Sequence, residues 1–132
     1  MAKTNFLTLE QVLAIHFDQI ENYDGSHGVR DLSLLESAVM RPQASFMGED
    51  LYEDLFAKAA ALFHSLVLNH PFIDANKRTS TVATGWFLHL NGFDLKVSLK
   101  GLEEASLNIE SKKWDLEQIS KWIKEHSVKG RV

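Results

Sequence analysis

No cysteine occurs among the 132 residues, which excludes a disulfide frame, a thiolate zinc centre and a cysteine nucleophile. Basic charge is not in surplus either. The formal net charge is −4, whereas a general nucleic-acid binder usually carries a positive balance. No stretch approaches the roughly 20 apolar residues of a membrane span, and the opening MAKTNFLTLEQ lacks the apolar core of a signal peptide. A soluble, cytoplasmic protein is expected, with neither nucleic acid nor membrane as partner. Internal repeats, low-complexity tracts and linkers are missing, so residues 1–132 are expected to form one domain. Walker-type and kinase-type glycine loops and HExxH spacing are missing too, which excludes the familiar nucleotide-binding folds and a zinc site of that type. Prolines number two, and each falls where a helix must stop.

What is present is a hydrophobic fraction of 45% arranged almost entirely at helical spacing, which predicts an all-α fold of about six helices. Thr8 and Gln11 form a capping box ahead of Leu9, Val12, Leu13, His16, Phe17 and Ile20, with Gly25 as the stop. Ser33 and Glu36 offer a second box, with Leu32, Leu35 and Val39 on one face and Pro42 closing the segment. Residues 51–70 carry Glu53 and Asp54 in the expected first turn and are apolar nearly all round, as a central buried helix should be. NKRTSTVATGWFLHLNG ends on Asn91-Gly92, FDLKV reads as a short strand or extended linker, and KGLEEASLNIES and DLEQISKWIKEH read as closing helices. The last of these has Asp115 and Gln118 in capping-box spacing. His16, His64 and His89 fall on separate helices without metal spacing, and His64 reads as a core residue. His27 and His126 look peripheral, and Trp86, Trp114 and Trp122 look like core.

Two loops are not explained by helices. RPQASFMGED, residues 41–50, is long for a helix–helix connection and places Phe46 and Met47 where polar residues are usual. Either both tuck beneath the loop as a small apolar cluster, or the loop is a flap that holds an extended segment of a target protein. The second loop is HPFID, inside His70-Pro71-Phe72-Ile73-Asp74-Ala75-Asn76-Lys77-Arg78. Pro71 disfavours helical geometry at His70, and a new helix is expected from Asp74 or Ala75. Lys77 and Arg78 then stand in its first turn, where cations are disfavoured by about 0.3–1 kcal/mol each.

Taken singly, each member of this stretch has an ordinary reading. His70 can be a structural histidine bonded to a carbonyl, or a general base titrating near neutral pH. Phe72 anchors the loop under either reading. Asp74 can be an N-cap, or a carboxylate that holds Mg²⁺ while water and phosphates complete the shell. Asn76 suits an anion pocket at a helix N-terminus, and Lys77 and Arg78 can be solvated cations or phosphate ligands. Together they supply what phosphoryl or nucleotidyl transfer requires: charge neutralisation, positioning and a base for the attacking hydroxyl.

The nine residues His70–Arg78 resemble the core motif of the Fic/Doc family, in particular its death-on-curing (Doc) branch, and GVRD at 28–31 and RPQ at 41–43 are similar to that family as well. The resemblance implies a single small helical domain and a toxin that transfers a group from ATP to a protein hydroxyl. By position it implies His70 as base, Asp74 as Mg²⁺ ligand, Asn76 as part of the anion pocket, and Lys77 and Arg78 as phosphate ligands. AMP-transferring members resemble HPFxxGNGR with a further arginine three residues on. Here Ala75 and Lys77 replace the glycines and Thr81 the second arginine, and Val82 replaces an asparagine that some Doc members carry. These departures favour γ-phosphoryl transfer, hence a protein kinase, over adenylylation. The implied substrate is elongation factor Tu, with arrest of translation as the outcome, and the implied regulator is a Phd-like antitoxin encoded separately. A Fic-type adenylyltransferase and an inactive helical binding module are the alternatives. SLNIES at 106–111 fits an inhibitory pattern of Fic proteins through Glu110 but ends in serine, and Glu110 is expected to be a surface residue.

Overall fold

Residues 3–130 are described by a computed structural model. Thr8 opens the first helix as its spacing requires. Its Oγ1 accepts from the Gln11 amide at 3.1 Å while Gln11 Oε1 takes the Thr8 amide at 2.8 Å, and α1 runs Leu9–Tyr23. Helix α2 spans Leu32–Met40 and passes into a short 3₁₀ turn, Arg41–Gln43, built around Pro42. Strands β1 (Ser45–Phe46) and β2 (Glu49–Asp50) follow as an antiparallel pair. Then come α3 (Leu55–Asn69), α4 (Asn76–Leu90), β3 (Phe93–Leu95), α5 (Leu99–Glu110), α6 (Leu116–Glu125) and β4 (Ser127–Lys129). Strand β4 returns to pair with β3, Leu95 opposite Ser127, so FDLKV is in part a strand. The architecture is helical, with six helices and two small two-stranded sheets among the described residues.

Helix α3 is the axis of the core, as its apolar run predicts. Ala59, Ala60, Ala61, Leu62, Phe63, Leu66 and Val67 are buried, and α2, α4, α5 and α6 all pack on it. The alanines let neighbouring helices approach closely, while Phe63 fills the space towards Trp122. Truncating a buried phenylalanine of this kind costs about 3–5 kcal/mol.

Several expectations are corrected. The cap of α2 is Asp31, whose Oδ1 accepts from the Leu34 amide at 3.0 Å, and not Ser33 with Glu36. The Asp31 amide is bonded to Pro71 O at 3.1 Å, and this long-range tie fixes the bend two residues earlier than local spacing suggests. Asp54 caps α3 through the Ala57 amide at 2.8 Å, so neither it nor Glu53 lies inside the helix. Leu32, Phe17 and Trp86 are exposed; Trp86 lies flat against His89 on the surface of α4, whereas Trp114 and Trp122 pack on the core.

Phe46 and Met47 do not tuck under their loop. They are 68% and 88% exposed at the tip of the β1–β2 hairpin, which overturns the buried-cluster reading. The segment at the base of the hairpin is held instead by polar groups of α3 and of the 3₁₀ turn. Buried Lys58 donates through Nζ to Asp50 Oδ2 at 3.1 Å, to Glu53 O at 3.3 Å and to Tyr52 O. Arg41 reaches Tyr52 Oη at 2.8 Å, Ser65 Oγ at 2.7 Å and His64 Nδ1 at 2.9 Å. Burial, and then the Arg41 charge, lowers the His64 pKa, which keeps the ring neutral and its Nδ1 able to accept.

Candidate active site

Between α3 and α4 the chain makes a loop bracketed by two left-handed residues. His70 ends α3 at φ 44°, ψ 55°, and Ala75 precedes α4 at φ 62°, ψ 31°. Such conformations cost a non-glycine residue of order 1–3 kcal/mol and persist only where the surroundings impose them. The surroundings here are specific. Arg30 donates from Nε to His70 O at 2.6 Å and from Nη2 to Asn69 O at 2.7 Å, so a guanidinium closes the C-terminus of α3, where a cation suits the dipole. The amides of Arg30 and Asp31 both bond Pro71 O, and the Ile73 amide bonds Gly28 O at 3.0 Å. This is the structural use of GVRD.

Phe72 is fully buried, as its anchoring role requires. The His16 ring lies flat on it, centroids 3.8 Å apart and planes within 4°. His16 Nε2 is 2.9 Å from Asp74 O; a carbonyl only accepts, so Nε2 carries the proton and donates. Burial lowers the His16 pKa, outweighing the bond to Asp74 that raises it, and the ring is neutral. Asn76 clamps the same loop from the other side, its Oδ1 accepting the Phe72 amide and its Nδ2 donating to Phe72 O, both at 2.9 Å. Its side chain is thus engaged with the loop, and what Asn76 can offer an anion is its main-chain amide. The first backbone amide of α4 with a helical partner is that of Thr79, to Ala75 O. The amides of Asn76, Lys77 and Arg78 are therefore without intrahelical partners.

Asp74 is not the N-cap of α4; Ala75 occupies that position without a side-chain cap. Asp74 instead turns back, Oδ1 accepting from the Ala75 amide at 2.8 Å and Oδ2 from the Ser26 amide at 3.0 Å. Those two bonds, Ser26 first, hold its pKa below the usual carboxylate range, with Arg78 adding to the effect. Gly25 makes the approach possible: at φ 128° a Cβ there would stand 2.8 Å from Asp74 Oδ2.

Two cations stand in the first turn of α4, and each has found a negative counterpart. Arg78 donates to Tyr23 O at 3.1 Å and Asp24 O at 2.8 Å, the orphan carbonyls at the negative end of α1. Lys77 Nζ lies 3.2 and 3.3 Å from the two carboxylate oxygens of Glu110, at the end of α5. Glu110 is therefore not a bystander on the surface, as its sequence context suggested. Its Oε2 also lies 3.9 Å from His70 Nε2. The His70 side chain is 45% exposed. No carbonyl holds its ring among the described residues. His70, Asp74, Ala75, Asn76, Lys77 and Arg78 line one cavity of about 580 Å³, together with Tyr23, Asp24, Gly25 and Ile73. Phe46 and Met47 are not part of its lining.

Local spacing did not reveal the roles of His16, Arg30, Tyr23 and Glu110. GVRD and SLNIES were the only signals for two of them, and for His16 and Tyr23 there was none beyond helical periodicity. No group of three or more metal-ligating side chains occurs among the described residues, and no helix there is long and apolar enough to cross a membrane.

A histidine, a carboxylate and two cations around the N-terminus of a helix can be set beside known proteins. The model of the Fic/DOC family matches residues 6–88, a span that contains the whole loop and its supports in α1 and at 28–31. The chain is 41% identical over 100 residues to the protein named Toxin Doc of Mycolicibacterium smegmatis, covering 74% of this chain and 77% of that one. It is 35% identical over 83 residues to the protein named Protein kinase doc of Escherichia phage P1, covering 63% of this chain and 65% of that one. The motif, the fold that carries it and these two likenesses agree: the chain belongs to the Fic/DOC family.

Proposed function

We propose that the protein is a Doc-type toxin acting in the cytoplasm as an Mg²⁺- and ATP-dependent protein kinase. Its target is a hydroxyl of a translation factor, elongation factor Tu, whose phosphorylation arrests translation, and a Phd-like antitoxin neutralises it. The observation that carries the reading is the joint lining of one cavity by His70, Asp74, Lys77 and Arg78. The names of the two relatives, a toxin and a protein kinase, support it.

In this reading the His70 imidazole accepts the proton of the target hydroxyl. The freed oxygen forms a bond to the γ-phosphorus, the bond from that phosphorus to the β–γ bridging oxygen breaks, and ADP leaves with the electron pair. Arg78, the first-turn amides and Lys77 hold the phosphates. Asp74 fits a Mg²⁺ ligand: it is held ionised, its orientation is set by two backbone bonds, it lines the cavity, and each oxygen accepts only one of the bonds it can accept. Bound there, the ion supplies neutralisation of phosphate charge. Lys77 favours the kinase over the AMP-transferring alternative, because its side chain reaches across to Glu110 through space that a glycine would leave open. The exposed tip of the hairpin, Phe46 and Met47, suits a flap that receives the target.

Transfer of label from γ-³²P-ATP and, in parallel, from α-³²P-ATP to purified elongation factor Tu tests this, with His70→Ala as control. Label from the γ position alone, lost in His70→Ala, is expected. Label from the α position would assign AMP transfer instead, and no transfer to any protein, with no His70-dependent toxicity on expression, would leave a binding module.

A further inference from the structure

Arg78 ties the cationic end of the cavity to the last turn of α1, and that turn brings Tyr23 into the same lining. Because Arg78 bonds Tyr23 O and Asp24 O, the Tyr23 side chain originates within one residue of the guanidinium. The ring is not drawn into the core: Tyr23 is 63% exposed and lines the cavity. Ile73 lines it too and is exposed. Its place is fixed by the bond from its amide to Gly28 O and by close packing on Gly28, where a Cβ would stand 2.5 Å from Ile73 Cδ1. Apart from His70, Tyr23 is the only aromatic residue in the lining.

The lining thus carries two kinds of group: Lys77, Arg78 and the first-turn amides of α4 can bind an anion, while the exposed Tyr23 and Ile73 offer an aromatic ring and an aliphatic side chain. A nucleoside triphosphate is divided in the same way, into a polyanionic tail and a flat, weakly polar base. An exposed ring that packs against nothing in the core is free to gain contact from such a base.

We infer that Tyr23 is the nucleobase platform of this site, its ring stacking on the base of the nucleotide whose phosphates lie at Lys77 and Arg78, with Ile73 as the adjoining apolar wall. The inference rests on the phosphate-binding part of the function proposed above, and goes beyond it by assigning the base.

The test is titration calorimetry on the full chain with Mg²⁺, using ATP and inorganic tripolyphosphate as separate probes. The unaltered protein should bind ATP more tightly than tripolyphosphate. Tyr23→Ala should weaken ATP binding about 5- to 150-fold, the range that one lost base–aromatic stack spans, and leave tripolyphosphate within about twofold. Tyr23→Phe, which keeps the ring, should bind ATP like the unaltered protein. Equal losses of both probes in Tyr23→Ala, or loss of neither, would overturn the platform while leaving the phosphate reading intact. Failure of the unaltered protein to bind either probe would overturn the phosphate reading, and the platform with it.

Discussion

Replacing Glu110 by glutamine removes the carboxylate that answers Lys77 among the described residues, and the consequence for nucleotide binding can be worked from the geometry. In the free protein Lys77 Nζ lies 3.2 Å from Glu110 Oε2, with the two side chains 43% and 33% exposed. A half-exposed pair of this kind is worth about 0.2–1 kcal/mol. A phosphate that takes Lys77 must forgo that amount, and it must also approach the Glu110 charge. Repulsion between unit charges about 4 Å apart in water adds about 1 kcal/mol. Glu110→Gln relieves both, together about 1–2 kcal/mol, so Mg-ATP should bind about 5- to 30-fold more tightly. The gain should shrink as ionic strength rises, because both contributions are screened at this exposure. Calorimetric titration of the unaltered and Glu110→Gln proteins at low and high salt measures this. Unchanged or weaker binding in the variant would refute the competition and assign Glu110 to orienting Lys77 or His70 instead.

Arg30→Ala should lower stability by about 1–3 kcal/mol in urea denaturation, since it strips two charge-assisted bonds from the carbonyls of Asn69 and His70; Arg30→Lys should not restore it, for lack of the planar fork. Ala75→Gly removes the penalty of φ 62° but gives the unfolded chain more freedom. Its net effect should lie between zero and about +1 kcal/mol, and a loss beyond about 1 kcal/mol would mean that the left-handed bend is not strained. Stability should also fall on acidification. His16 and His64 have folded pKa values below the ordinary imidazole value of about 6.5, so the unfolded chain binds more protons as pH drops through that value. The midpoint of thermal unfolding should therefore be level above about pH 7 and decline below about 6.5. A slope of the opposite sign would refute neutral, buried rings. Met47→Ser should leave the thermal midpoint within about 2 °C, because the side chain is exposed, while raising KM for the protein target and not for ATP.

Helical periodicity carried far enough to locate all six helices, because five of them bury a face against α3 or its neighbours and the sixth, α3, is buried nearly all round. It carried the two capping boxes whose partners are three residues apart, Thr8 with Gln11 and Asp115 with Gln118. It failed at Ser33, where Asp31 is fixed by Pro71, 40 positions along the chain. The same limit applies at the site. The nine-residue motif was legible because its members are contiguous, yet its supports are not. His16 meets Asp74 across 58 positions, Arg30 meets His70 across 40, and Lys77 meets Glu110 across 33. Spacing on one helix says which residues share a face, but not which distant residue will arrive there. Phe17, Leu32 and Trp86 fell at positions compatible with the core and remain exposed, because a stripe wider than the partner surface leaves its margin in water.

Holding the His70–Asn76 loop from positions 16, 26, 30 and 76 enlarges the mutational target of this protein. On the proposed toxin function the gene is under selection for loss, and a loss need not strike His70. Substitutions in α1 or in the 26–31 segment would leave a folded helical domain with its loop relaxed out of the left-handed bends. Inactive variants recovered by survival should therefore scatter over the first quarter of the chain as well as over the motif.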